Sequence, residues 1–430
     1  MTADELITVL RDSGADAWEI TDTSTEGWEF YFIGKRLDQN RVRDVEHIKV
    51  RVFRTLDGGE TIGSATAEID PMSAYGEASE RIRKLLDDAV YVTNPFFTLN
   101  PPSPVSANMQ ETVLSDIAGE FLETVRAVPE TDTEYINSYE VFVEKCRSRF
   151  INSEGIDVTQ TYPASMLEIV VNARNAEKEI ELYRLFTAGT CERGALTRSI
   201  IELMRFGKDR LAASPTPPLE KAPVIFSTRD AVEIYKWFAS RVSASFKYMK
   251  LSDWEAGEDP SPEASGDRVT LTARAFIEGS SKNRSIDDEG APVSDLILLD
   301  KGVPAHYWGS RQFRSYLGLN EGYIAQNFEV SGGTGSDESL REEPYMEIVE
   351  FSDLTVDDIT GDIAGEIRLG YWHGGGNVTA VSGGSVSGSL RDLMKDMRFS
   401  AGSRRYDNYV IPELTRLEGV HITGIKGSDM

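Results

Sequence analysis

Ser214-Pro215-Thr216-Pro217-Pro218 is the segment that most restricts how this chain can fold. Each proline fixes its own φ, lacks a backbone N–H and pushes the residue before it out of the helical region. Three prolines within four residues forbid a helix across this point and favour a stiff, extended connector. The cluster falls at the middle of 430 residues, a length that calls for more than one domain. The expected organisation is an N-terminal domain at 1–213, a proline-rich linker at 214–222 and a C-terminal domain at 223–430.

Before the cluster, helix and strand signals alternate in blocks. Leu6, Ile7, Val9 and Leu10 form an apolar stripe on a short helix that ends near Ser13-Gly14. Three β-rich runs follow at 27–34, 41–55 and 60–69, the last two joined by the hairpin signal Asp57-Gly58-Gly59. Ser73 to Val90 reads as a helix, Thr98 to Ser106 as a proline-rich loop, and Glu111 to Val128 as an amphipathic helix. Cys146 is expected inside a helical run as a small core residue, and Cys191 at the surface. Two β-like runs surround Asn152-Ser153-Glu154-Gly155, and a helix spans roughly Gly194 to Leu211.

Beyond the cluster the pattern is mostly β. Pro223 to Phe226 reads as a buried strand and Arg229 to Phe246 as a helix. Strand-like runs then cover 268–277, 296–299, 345–351, 364–372 and 377–389. The glycines at 374–376 and 383–384 suit the tight turns of a strongly curved sheet. The expected fold class is α+β: an N-terminal α/β domain and a C-terminal β-rich domain built on a curved antiparallel sheet.

The scan for familiar chemistry returns little. No phosphate loop or dinucleotide fingerprint is complete, and the glycines at 332–335 read as a turn. Ser382-Gly383-Gly384-Ser385 is no nucleophile elbow and fits an exposed strand better. His47, His306, His373 and His421 never fall within one helical turn of each other, and there are only two cysteines. No residue is assigned as catalytic or as a metal ligand, and no cofactor is expected. With 71 acidic against 45 basic residues the net charge is −26, which argues against direct contact with nucleic acid. No apolar run reaches membrane-spanning length and no signal-peptide pattern opens the chain, so a cytoplasmic protein without membrane contact is expected.

One segment concentrates charge. Arg284-Ser285-Ile286-Asp287-Asp288-Glu289-Gly290 places three adjacent acids between a basic residue and a glycine, ahead of the apolar strand Leu296 to Leu299. Neighbouring carboxylates do acid–base work where burial drives their pKa values apart. They equally cap helices or fix an arginine in a turn, and the residues by themselves favour the turn.

Asp287-Asp288-Glu289-Gly290, followed by a strand and Lys301-Gly302-Val303, resembles the central signature of the TldD/PmbA family, also called candidate modulators of DNA gyrase. Arg51-Val52-Phe53-Arg54 through Gly63-Ser64-Ala65 resembles its N-terminal hairpin, and Asn152-Ser153-Glu154-Gly155 its Asn-Ser-x-Gly turn. Ile363 to Ile367 and Asn377 to Gly384 resemble its closing β segment. The resemblance implies two domains and a dimer enclosing a groove for extended peptides. In the TldD branch the helix opening the second domain carries His-Glu-x-x-x-His, and a later Cys completes a zinc site for peptide hydrolysis. Here that helix runs from Arg229 to Phe238 without a His, and no later Cys exists, so the chain resembles the PmbA (TldE) branch.

The expected role is therefore a non-catalytic subunit of a TldD/PmbA-type metallopeptidase system that helps bind extended peptides for proteolysis. It would act as a homodimer or as a heterodimer with a zinc-bearing TldD-like chain. Arg284, Asp287, Asp288, Glu289 and Gly290 are the candidate substrate-binding or interface residues. The alternatives are a homodimeric peptide-binding module, or an enzyme using the Asp287, Asp288 and Glu289 carboxylates.

Overall fold

A computed structural model describes residues 1–105 and 112–425 of the protein. The N-terminal part opens with α1 (Ala3–Asp12), β1 (Ala17–Ile33), β2 (Arg36–Leu56), β3 (Thr61–Ile69), α2 (Tyr75–Asp88) and β4 (Thr93–Pro95). It continues with α3 (Leu114–Ala127), β5 (Glu134–Asn152), β6 (Asp157–Arg174), β7 (Glu179–Ala188) and α4 (Arg193–Leu211). The helices expected from the apolar stripes at 6–10, 73–90, 111–128 and 194–211 correspond to α1 to α4, although Glu111 and Ser106 lie outside the described residues.

All seven strands form one sheet in the order β4-β3-β2-β1-β5-β6-β7. Trp18 and Ile20 of β1, with Ile48, Val50 and Val52 of β2, pack under α1 and α2. Farther along the same face Phe32, Tyr139, Val141, Val143, Leu167 and Ile169 pack under α3 and α4. Alternation puts the intervening residues on the opposite face, away from the cores under α1 to α4. Cys146 departs from the expectation: it lies on β5, paired with Tyr162, rather than in a helix. The buried Tyr139, Val141 and Val143 alternate with the half-exposed Glu140, Phe142 and Glu144 at a period of two, which is the signature of a half-covered strand. Cys191 is half-buried rather than at the surface; its Sγ lies 3.9 Å from Thr124 Oγ1, and burial pushes its thiol up to about 11.

The proline cluster is extended, and it is stitched into the sheet that follows. β8 (Ser214–Pro215) runs parallel to Val381-Ser382, and Thr216 N–H donates to the carbonyl of Ser382 at 3.2 Å. After β9 (Leu219–Phe226) the expected helix is broken in two, α5 (Val232–Arg241) and α6 (Ala244–Tyr248). The rest comprises β10 (Thr270–Ala273), β11 (Leu296–Asp300), β12 (Val303–Pro304), α7 (Arg311–Tyr316), β13 (Phe328–Ser331), α8 (Asp337–Leu340), β14 (Tyr345–Val356), β15 (Asp362–Gly374), β16 (Asn377–Ser382) and β17 (Ser385–Ser389). It closes with α9 (Leu390–Leu393), β18 (Arg398–Phe399), β19 (Ser403–Tyr406), β20 (Tyr409–Pro412) and β21 (Thr415–Thr423).

Two sheets carry this second part. One is six-stranded, in the order β12-β11-β10-β13-β20-β19. In the other, β14 pairs with both β9 and β15, while β21 and β17 link β9 to β15, so five strands close into a ring. The expected curvature is thus carried to closure. Val224, Phe226, Met346, Ile348, Ile363, Ile367, Val386, Leu417 and Ile422 belong to its core, and α5 contributes Trp237, Tyr235 and Ile234. Two glycine hairpins permit the tight reversals: Gly375 and Gly376 have φ of 65° and 78°, and Gly383 and Gly384 of 86° and 76°.

Candidate functional site

The acidic segment forms a joint between the two parts of the chain. Asp287 is buried, and its carboxylate accepts three backbone N–H groups: Glu289 at 2.9 Å, Ala291 at 2.8 Å and Ile324 at 2.7 Å. Three donors on one short side chain fix the turn from Asp287 to Gly290, where Gly290 adopts φ of 79°. This turn presses on the face of the N-terminal sheet that turns away from α1 to α4. Ile286 packs with Phe150 and Ile156, and Gln160 Oε1 accepts the N–H of Ser285 at 2.9 Å. Asn100 Nδ2 donates to the Glu289 carbonyl at 2.9 Å. The Arg284 guanidinium lies 3.0 Å from the Tyr162 ring centroid and donates to the carbonyls of Ser281 and Asn283, not to the neighbouring acids.

The carboxylates around this joint are strained electrostatically. Burial pushes Glu19 up to about 7 against the pull of Arg51, with Glu289 and Asp287 adding repulsion. Burial likewise pushes Asp287 up to about 6 in spite of its three N–H donors. Glu289 accepts the Arg311 N–H at 2.6 Å and lies 3.9 Å from Arg51, while Asp288 is exposed.

A separate cleft of about 900 Å³ opens between the two parts. None of Arg284, Asp287, Asp288, Glu289 and Gly290 lines it. Its N-terminal wall is β7 from Arg184 to Ala188 together with α4. Its C-terminal wall comprises Ser227 to Arg229 ahead of α5, Glu347 on β14, Tyr371 and His373 on β15, and the β19 segment from Ser403 to Tyr406. The run from Glu179 to Phe186 places Ile180, Leu182 and Phe186 at alternate positions, and that alternation is the signal by which the sequence marks the strand. Arg184 interrupts it, facing the buried side where Glu350 of β14 receives its guanidinium.

β7 is the outer strand of its sheet. In an antiparallel pair the N–H and C=O of one residue point the same way, and the direction alternates along the strand. Leu185 C=O points away from β6, since it accepts Arg229 Nη1 at 2.7 Å. Two steps on, Thr187 presents its N–H and C=O outward, and two steps back Tyr183 does the same. The edge closes at Gly189, whose N–H donates to the Gly279 carbonyl at 2.8 Å.

Most charges in the cleft are already paired. Arg405 binds Glu192 at 3.1 Å, Arg404 binds Ser199 Oγ at 3.0 Å, and Tyr371 OH donates to Asp209 at 2.6 Å. Burial pushes Glu347 up, but the hydrogen bonds from Arg341 outweigh it and hold that carboxyl below the usual range. His373 stacks on Tyr345 at 4.2 Å, and burial lowers its pKa despite Glu347 at 3.9 Å.

The residues available do not fit a zinc site. On α5, Glu233 pairs with Lys236 at 2.7 Å, and the helix has no His. Among the described residues no three His, Cys, Asp or Glu side chains come together as metal ligands. The four histidines lie apart: three sit near different acids, Glu68, Glu321 and Glu347, and His421 lies beside the Glu220 carbonyl. Among the described residues no helix is long and apolar enough to cross a membrane.

Residues 219–424 match the family model described as "PmbA/TldA metallopeptidase C-terminal domain". No curated protein matches the chain. Three solved structures share the fold over nearly the whole length. TldE from Thermococcus kodakarensis has a TM-score of 0.77 at 15% identity, covering 98% of this chain and 100% of its own. A candidate modulator of a DNA gyrase from Thermotoga maritima gives 0.76 at 16%, covering 98% and 99%. A second one, from Bacteroides thetaiotaomicron, gives 0.74 at 17%, covering 99% and 100%.

Proposed function

The chain belongs to the TldD/PmbA family, and from that premise we propose that it is a non-catalytic subunit of a TldD/PmbA-type proteolytic system that binds extended peptides in the cleft beside β7. One observation carries the reading: the outer edge of β7, which no other strand of the described residues pairs, forms a wall of the cleft of about 900 Å³. An open edge offers main-chain donors and acceptors to any extended segment whatever its side chains, which is how strand addition binds peptides. The open part of β7, from Tyr183 to Thr187, is short enough that a peptide of about five residues fills it at roughly 3.3 Å per residue. In this reading hydrolysis falls to another chain, since among the described residues no three His, Cys, Asp or Glu side chains gather to hold a metal that would polarise a carbonyl or activate water. A zinc-bearing TldD-like partner completes the system in this reading, and a homodimer would be a binding module alone.

The test replaces an edge donor. Thr187→Pro removes an outward N–H that the sheet does not use, so β7 keeps its pairing with β6. Labelled extended peptides titrated into the purified chain should bind the wild type and lose at least about tenfold in affinity for the variant, with unchanged circular dichroism. Equal binding by both proteins removes the strand-addition reading. No binding to the wild type removes the peptide-binding role altogether.

A further inference from the structure

Resting on that reading, we infer that the cleft selects extended peptides carrying a carboxylate opposite Leu185, and that Arg229 is the residue that selects them. Seven arginines line a cleft in a chain where acids outnumber Lys and Arg by 71 to 45. Most are consumed internally: Arg184 by Glu350, Arg205 and Arg404 by Glu202, Arg341 by Glu347, and Arg405 by Glu192. Two are not. Among the described residues neither Arg229 nor Arg198 has a carboxylate within ion-pair distance, and both are exposed.

Arg229 has a specific occupation. Its Nη1 donates to the outward carbonyl of Leu185, in the middle of the edge that a peptide would use. A guanidinium on one neutral carbonyl leaves most of its donor fork unused, and a carboxylate fills that fork bidentately with opposite charge. A neutral peptide adding to β7 must compete with Arg229 for the Leu185 carbonyl. A peptide with Asp or Glu at that position instead takes the guanidinium for itself and leaves the carbonyl to its own backbone N–H. The same residue is thereby a plug against neutral strands and a receptor for acidic ones. Arg198 lies on α4, which packs on β7, so a second cation without an ion-pair partner among the described residues faces the cleft from the N-terminal wall, while Arg229 stands on the C-terminal one. Of the lining carboxylates without an ion-pair partner among the described residues, Asp209 on α4 accepts the Tyr371 OH, and Asp337, Asp407 and Glu413 belong to the C-terminal wall.

This inference runs against the net charge of −26, which by itself favours basic peptides at long range. The experiment sets the two against each other. Three labelled peptides of one extended sequence, with Glu, Gln or Lys at the central position, are titrated into the full chain and into Arg229→Met. Methionine keeps the stem and removes the donors. The wild type should bind the Glu peptide about tenfold more tightly than the Gln peptide. In Arg229→Met the Glu peptide should weaken about tenfold while the Gln peptide tightens, since the Leu185 carbonyl is then free. Equal affinity for Glu and Gln peptides in the wild type, or preference for the Lys peptide, overturns the inference and leaves strand addition standing. If no peptide binds either protein, both fall together.

Discussion

At the scale of single residues, the joint between the two parts holds charge in places where charge is costly. Glu19 is 8% exposed and its pKa is raised from 4.5 to about 7. A raised folded pKa means that the folded state binds the proton more tightly than the unfolded one. The stabilisation is complete below about pH 4.5 and is lost as pH climbs through about 7, and Asp287 acts in the same sense up to about pH 6. Denaturant unfolding should therefore show stability falling between pH 5 and 8. Glu19→Gln, which cannot ionise, should flatten that fall and make the protein more stable at pH 8 by on the order of 2 kcal/mol. An identical pH slope in the variant would show that Glu19 is better solvated than its burial indicates.

At the scale of elements, the Asp287–Gly290 turn is a wedge seated on the sheet. A Cβ built on Gly290 would lie 2.7 Å from Phe150 Cε1 and 2.8 Å from Ile156 Cδ1, at a φ of 79° that suits glycine. Gly290→Ala should cost roughly 1–3 kcal/mol, read as a lower denaturant midpoint, because neither strand β5 nor the turn can retreat without breaking its own hydrogen bonds. A midpoint within error of the wild type would mean that the wedge is loosely held. The sequence made this turn visible, since three acids before a glycine is a local pattern. It could not show what the turn rests on, because Phe150, Ile156 and Gln160 come from residues more than a hundred positions earlier. The same limit explains β7: its apolar alternation is interrupted by Arg184, which makes sense only once Glu350 is placed beside it. The helices and hairpins, by contrast, were legible, because stripes at 6–10 and turn glycines at 374–376 and 383–384 are decided within one element. Cys146 was misjudged where two periodicities overlap on a short apolar run.

At the scale of the whole molecule, a net charge of −26 is spread over a surface whose ion pairs are mostly exposed and worth little each. Self-repulsion should dominate at low ionic strength, so raising NaCl from about 10 to 300 mM, which cuts the screening length from about 30 to under 10 Å, should raise the melting temperature. A melting temperature that falls with salt would mean that the internal pairs, such as Arg341–Glu347 and Arg184–Glu350, outweigh the net repulsion. The closed ring has a different reach. β9 begins at Leu219 and β21, which lies beside it, ends at Thr423, whereas every strand of the N-terminal sheet is complete by Ala188. On a ribosome adding roughly 5–20 residues per second, the N-terminal sheet is available to fold about 12–47 s before the ring can close. During that interval β9, rich in buried side chains, has no antiparallel neighbour from β21, and the nascent chain carries a folded first half attached to a second half that must wait for its own last strand.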